Sequence, residues 1–285
     1  MEKIAIVMDS TAYLPDELTK ELNIRTVYLN IVIDGNSYKE VIDMPLDKYY
    51  DYLKDPNNSF PTTSQPAIGE VVSCLEKLKE EGYTDVIAIA LSSGISGTFS
   101  SYSVADLMVD GINVHPFDSE VACHPEGYYA IKAAELIKEG KSSKEIIATL
   151  DEMKKVSKAY FMADDLSHLQ RSGRLNGTQA IVGNLLQVKP LLHFEDKVIV
   201  PFQKIRTYKK VVLRIYELFD EFYRQHKDEN ISVCILHVDA LEKAEEIKNY
   251  MKEVYPNVNV EIDAITPVVS THLGIGAIGF AWTIL

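Results

Sequence analysis

The stretch Asp85–Leu91 (DVIAIAL) constrains the fold more than any other segment. It is a short, uninterrupted apolar run, the pattern of a strand covered on both faces. It runs directly into Ser92-Ser93-Gly94-Ile95-Ser96-Gly97-Thr98 and then into a helical pattern over Thr98–Asp110. Strand, small polar loop and helix in that order make one limb of a parallel βαβ unit. The same order recurs around it. Lys3–Met8 and Arg25–Ile33 read as strands, the second ended by the turn signal Asp34-Gly35. Leu14–Leu22, Pro45–Leu53 and Ile68–Glu81 read as helices, the last closed by Gly82. Ile112–Phe117 is a further strand, and Glu126–Gly140 and Ser143–Val156 are helices. The N-terminal half is therefore expected to be a doubly wound α/β domain, residues 1–156.

The second half has a different pattern. Lys158–Ala163, Val188–Phe194, Lys197–Pro201, Ser232–Val238 and Val258–Ala264 read as strands, with Glu195-Asp196 as a hairpin turn. Asp165–Arg171, Thr178–Leu186, Thr207–His226 and Leu241–Tyr255 read as helices. A hairpin among longer helices predicts a mixed α+β domain over 157–285.

Charge narrows the class of partner. The 285 residues carry 29 Lys plus Arg against 42 Asp plus Glu, a net charge of −13. Nucleic-acid binding and docking on anionic membranes both draw on clustered cations, so neither is expected. No apolar run reaches the ~18 residues of a membrane span, and a secretory leader is not expected at the N-terminus. The three cysteines, Cys74, Cys123 and Cys234, are far apart, as for reduced thiols in a cytoplasmic protein.

Several segments carry candidate chemistry. Pro61-Thr62-Thr63-Ser64-Gln65-Pro66 reads either as a rigid turn before the helix at Ile68 or as a loop whose hydroxyls are preset by the prolines. The loop Ser92–Thr98 follows a strand, where open α/β sheets bind ligands; it is either a helix cap or an anion site with Ser93 and Ser96 as donors. It is neither a Walker A loop nor G-x-G-x-x-G. Asp9-Ser10-Thr11 reads as a cap, with a metal or phosphate site as the alternative. Asp164-Asp165, ahead of Arg171-Ser172-Gly173-Arg174, read as caps or ion-pair partners, or else as metal ligands. Arg174 offers a donor fork suited to a carboxylate or phosphate. Lys204, Arg206, Lys209 and Lys210 form a basic stretch, a solvated helix face or a docking surface. In the tail Pro267–Gly279, His272 stands among apolar residues and glycines, as a core histidine or a ligand. No paired histidine spacing suggests a metal centre.

Taken together, these segments resemble the DegV family of bacterial fatty-acid-binding proteins. The matching pieces are MDSTAYLP (Met8–Pro15), FPTTSQP (Phe60–Pro66), LSSGISGTF (Leu91–Phe99), DDLSHLQRSGR (Asp164–Arg174), VKPLL (Val188–Leu192) with KIRTYKK (Lys204–Lys210), and PVVSTHLGIGAIG (Pro267–Gly279). They fall in family order, and the DegV-type unit spans about residues 3–283. The resemblance implies two α/β domains with a long-chain fatty acid such as palmitate, stearate or oleate between them. It implies no cofactor, no metal and no catalysis by the chain itself. A separate fatty-acid kinase would convert the presented acid to an acyl phosphate.

The residues that match the family's head-group positions are Thr63, then Thr62, together with Ser96, Ser93, Arg174 and His272. Arg171 and Lys209 are expected to face the kinase, and Arg174 is expected to touch either lipid or kinase. Ser172 and Ser270 depart from small residues common in the family, which bears on fine substrate preference. The competing reading is a serine hydrolase or acyltransferase using Ser96 (or Ser93) with His272; it lacks the G-x-S-x-G elbow.

Overall fold

The computed structural model describes residues 2–175 and 189–285. The expected helix Thr178–Leu186, and Val188 of the VKPLL run, lie outside the described residues. The chain divides into two compact units. One comprises Met1–Leu46, Ser59–Lys155 and Thr266–Val268; the other comprises Asp47–Asn58, Val156–Ile265 and Val269–Leu285.

In chain order, the first half holds β1 (Ile4–Asp9), a 3-10 turn (Ser10–Ala12), α1 (Asp16–Glu21), β2 (Ile24–Val27), β3 (Asn30–Ile33), β4 (Asn36–Lys39), α2 (Leu46–Lys54) and β5 (Thr62–Ser64). There follow α3 (Ile68–Glu80), β6 (Asp85–Ala90), α4 (Thr98–Asp106), β7 (Asn113–Asp118), α5 (His124–Lys138) and α6 (Ser143–Val156). The second half holds β8 (Lys158–Met162), α7 (Ser167–Arg171), β9 (Leu191–Glu195), β10 (Val198–Gln203), α8 (Tyr208–His226), β11 (Ile231–His237), α9 (Leu241–Val254), β12 (Asn259–Ala264), α10 (Pro267–Leu273) and β13 (Ile278–Ile284).

The first unit is built on a four-stranded sheet of order β2-β1-β6-β7, in which every pairing is parallel. The order reverses between β1 and β6, and such a switch point opens a crevice at the carboxyl ends of its two strands. Those ends are Asp9 and Ala90, so the fold directs Asp9-Ser10-Thr11 and the Ser-Gly loop to one place. Val7, Val86 and Ala88 from the sheet pack with Val71, Leu75 and Leu78 of α3 and with Tyr102 and Ala105 of α4.

A separate three-stranded antiparallel sheet, β4-β3-β5, carries the FPTTSQP segment as its edge strand. The expected single strand Arg25–Ile33 is thus two strands in two sheets. The chain turns between them because the Leu29 N–H donates to the Ser10 hydroxyl at 2.9 Å, which ties it to the end of β1. The Asp34-Gly35 turn is present, with φ of 50° and 79°, the left-handed values a two-residue hairpin needs.

The second unit has a six-stranded mixed sheet of order β10-β9-β8-β13-β11-β12. Phe219 of α8, Phe280 and Trp282 of β13 and Tyr255 centre its core. The β9–β10 turn is Asp196-Lys197, one residue beyond the expected Glu195-Asp196.

Two segments lie across a single cut between residues 156 and 157. The residues Asp47–Asn58, with most of α2, join the second unit. There Tyr49 hydrogen-bonds the Thr271 hydroxyl, Tyr50 donates to the Ile265 carbonyl at 2.7 Å, and Lys54 pairs with Asp239 at 2.7 Å. The short segment Thr266–Val268 joins the first unit, where the Val268 N–H donates to Glu40 at 2.9 Å. Among the described residues no helix is long and apolar enough to cross a membrane.

Candidate functional site

In the first unit the site begins at the end of β1. Asp9 is fully buried, and both of its oxygens accept hydrogen bonds. Its Oδ1 takes the Thr11 N–H at 2.9 Å and the Thr11 hydroxyl at 2.7 Å; its Oδ2 takes the Leu91 N–H at 2.7 Å. Asp9 therefore caps the turn after β1, as expected, and also ties β1 to the residue that opens the Ser-Gly loop. Burial pushes its carboxyl above the ordinary range, against the lowering pull of these donors.

Two more carboxylates are buried nearby, and the sequence pattern singles out neither. Glu126, in the first turn of α5, meets the Thr11 hydroxyl at 2.9 Å. Glu40, after β4, accepts from the Ser10 hydroxyl and from the Val268 N–H. Neither segment carries a local signal of burial: SYKEVID and HPEGYY are ordinary polar surroundings. Only the tertiary fold reveals them.

The Ser-Gly loop is tightly held. The Ser92 N–H donates to the Val121 carbonyl at 2.7 Å. Ser93 binds Asp118 twice: its N–H donates to Oδ1 at 3.1 Å and its hydroxyl to Oδ2 at 2.5 Å. The Ser93 hydrogen is thus directed at Asp118, which makes this side chain an anchor of the loop. Ser96 is half-buried; its Oγ lies 2.9 Å from the Thr98 hydroxyl and accepts from the Thr98 N–H at 3.3 Å, one residue ahead of Gly97, which holds the N-cap position of α4. Thr63 is half-buried and Thr62 exposed on β5, opposite Ile31 and Val32 of β3.

One side chain joins the two hydroxyl-bearing segments. Gln65, just after β5, donates to the Ser101 hydroxyl of α4 at 2.7 Å. It passes directly over Gly97, where a Cβ would stand 1.8 Å from its Oε1. Thr62, Thr63, Ser93 and Ser96 therefore belong to one connected part of the first unit.

Arg174 and His272 belong to the second unit, where the structure brings them together. His272 is pushed down to about 3, first by burial and then by the positive charges of Arg174 and His168. At neutral pH it is an uncharged hydrogen-bonding ring, and Arg174 supplies the cation. A ring held at that value is also too weak a base to activate a serine near neutral pH. The Arg174 Nη1 donates to the Ser172 carbonyl at 2.6 Å, which fixes the guanidinium against its own turn.

His168, one of the scattered histidines of the sequence, helps position this half. Its Nδ1–H donates to the Thr271 carbonyl at 3.1 Å, next to His272. Gly274 and Gly276, at φ of +76° and +84°, make the close approach possible. A Cβ on Gly276 would lie 2.5 Å from Asp164 Oδ2, and one on Gly274 would lie 3.0 Å from the His168 ring. Gly276→Ala is therefore expected to cost about 1–3 kcal/mol, from the left-handed backbone and the displaced Asp164. Urea unfolding measures this, and an unchanged midpoint would contradict it.

The two aspartates of the DDLSHLQRSGR segment have local partners. Asp165 caps Ser167 through its N–H at 2.8 Å and its hydroxyl at 2.6 Å. Asp164 pairs with Lys189 and lies 3.7 Å from Lys243, so its cations are lysines rather than the nearby arginines. Among the described residues no group of three or more His, Cys, Asp or Glu is placed to hold a metal. Arg171 and Lys209 are both exposed.

The fold and these segments define a two-unit α/β protein with a hydroxyl-rich loop at the switch point of a parallel sheet. The chain belongs to the DegV family: the family described as "Uncharacterised protein, DegV family" matches residues 3–284. Protein DegV of Bacillus subtilis is 50% identical over 280 residues, covering 98% of each chain. The crystal structure of DegV from Bacillus subtilis, described as a fatty acid binding protein, superposes with a TM-score of 0.94 at 48% identity over 100% of both chains. That of the fatty acid binding DegV family protein from Streptococcus agalactiae gives 0.91 at 32% identity over 99% of both.

Proposed function

We propose that this chain binds a long-chain fatty acid, such as palmitate, stearate or oleate, and presents it to a fatty-acid kinase that forms the acyl phosphate. The observation that carries the binding is the full-length likeness, at a TM-score of 0.94, to a protein described as fatty acid binding. In this reading Thr63 and Ser96 donate to the carboxylate, with Thr62 as a further hydroxyl. Arg174 supplies positive charge, and the uncharged His272 a ring hydrogen bond. Ser93 contributes by holding the loop through Asp118. Arg171 and Lys209 face the kinase, and the chain itself needs no cofactor or metal.

The energetics are reasonable. Each buried methylene contributes about 0.8 kcal/mol, so a ~C16 chain in an apolar tunnel gains on the order of 10 kcal/mol before costs. A carboxylate leaves water only where several donors replace its hydration. The protein is therefore expected to carry lipid through purification. Denaturation followed by mass spectrometry should release long-chain fatty acids, and Thr63→Ala and Ser96→Ala should each weaken palmitate binding by about 1–3 kcal/mol. Repeated absence of any acyl species, with no uptake of added palmitate or oleate, would refute the reading. The kinase step is tested separately, by acyl-phosphate formation with Arg171→Ala, Lys209→Ala and Arg174→Ala proteins loaded with lipid.

A further inference from the structure

The contacts around Thr11 contain one hydrogen too few. Its hydroxyl lies 2.7 Å from Asp9 Oδ1 and 2.9 Å from Glu126 Oε2. A hydroxyl donates once, so if both carboxyls were ionised one of these contacts would place two lone pairs face to face. Asp9 and Glu126 also meet directly through their side chains, and two ionised carboxyls would repel there too. One carboxyl must therefore carry a proton and donate it into this group of three. Asp9 accepts backbone N–H groups on both of its oxygens, from Thr11 and from Leu91. Glu126 Oε1 is buried with no hydrogen-bond partner among the described residues. The network thus favours the charge on Asp9 and the proton on Glu126.

The surroundings agree. Glu126 is 0% exposed. Asp9 faces it from β1, and Glu40 acts on it from beyond β4; both are acidic. Tyr102 of α4 is buried within reach of the charges of Asp9 and Glu126. Just past the end of β6, Leu91 offers its N–H, which Asp9 takes. Burial first, then the charge of Asp9, raises Glu126 well above the ordinary carboxylate range. The first turn of α5 pulls the other way, since a helix N-terminus favours an anion, but that pull is smaller than full burial beside a second carboxylate.

We propose that Glu126 is a neutral carboxylic acid that acts as a positioning residue for the Ser92–Ser96 loop: it donates its proton to the Thr11–Asp9 pair, and Asp9 holds the Leu91 N–H at the loop's entrance. The link to ligand binding rests on the fatty-acid reading of that loop; the proton itself does not. The relay runs from α5 through β1 to the first residue after β6, entirely within the first unit.

Carboxyl-carbon NMR of the full chain labelled with 13C-glutamate tests the proton directly. The Glu126 resonance should stay at its protonated position from about pH 6 to about pH 8, and an ionised Glu126 at pH 7 would overturn the proposal. Positioning is tested on Glu126→Gln and Glu126→Ala. The amide can replace the acid as donor to the Thr11–Asp9 pair, so Glu126→Gln should keep slow amide exchange at Leu91 and palmitate affinity within about twofold. Glu126→Ala should speed that exchange and weaken palmitate about tenfold. Equal losses in both variants, or none in either, would overturn the positioning role. If the parent protein takes up no palmitate, the fatty-acid reading fails, while NMR and Leu91 exchange still decide the proposal.

Discussion

Replacing Asp9 with asparagine is expected to destabilise the protein by about 1–3 kcal/mol, although the side chain keeps its shape. The carboxylate accepts on both oxygens, from Leu91 on one side and Thr11 on the other. An amide has one acceptor oxygen. With the amide oxygen toward Thr11, its NH2 faces the Leu91 N–H and both donors lack an acceptor; with the oxygen toward Leu91, the NH2 meets the Thr11 hydroxyl oxygen and the Thr11 N–H alone is stranded. Each buried unpaired group costs about 1–3 kcal/mol. Asp9→Ala should be no milder, since it strands both backbone N–H groups. Urea unfolding followed by a probe in the first unit measures the loss. A change below about 1 kcal/mol would show that the β1 end relaxes to find other acceptors.

The second large effect concerns pH. Burial pushes the Glu40 carboxyl up to about 7, opposed by its bonds with Ser10, Val268 and Thr266 and reinforced by the charge of Asp9. The folded protein thus holds this proton more tightly than the unfolded chain, whose ordinary value is 4.5. The contribution of Glu40 to stability is complete below about 4.5 and is lost as the pH rises to about 7. At about 1.36 kcal/mol per pH unit, that difference amounts to about 3 kcal/mol. Glu40→Gln mimics the protonated acid: its oxygen accepts from Val268 and its NH2 faces Ser10. It should flatten the decline in stability between about pH 5 and about pH 8, and be the more stable form at the upper end. Parallel stability–pH curves for parent and variant would refute this assignment.

Both effects arise where local sequence says least. Asp9 is visible as a cap at a strand end, because capping is a short-range property. Its hold on Leu91, 82 positions away, depends on β1 and β6 becoming neighbours. Glu40 and Glu126 look like surface residues in sequence, since burial of a carboxylate is decided by what packs over it. The strand β6 and its Ser-Gly loop are readable because a continuous apolar run followed by small polar residues has few other uses. The same logic hides β13: Gly274, Gly276 and Gly279 resemble a loop. Yet Gly279 sits in register with both Phe161 and Leu236, where a side chain would crowd Leu236 at 3.2 Å. Of the proposed head-group residues, the motifs mark the segments, but only the hydrogen bonds separate Ser93, anchored on Asp118, from Ser96.

The place of β13 has a consequence for how the protein is made. It joins β8 on one side to β11 on the other, so the six-stranded sheet exists as two fragments until it arrives. It is also synthesised after every other strand of that sheet. At about 5–20 residues per second of translation, β8 waits several seconds for the partner that completes its pairing. The first unit's parallel sheet, whose last strand ends at Asp118, has all its strands long before. The nascent chain therefore carries an assembled parallel sheet ahead of an open-edged one, and protection of that open edge is a requirement of its biosynthesis.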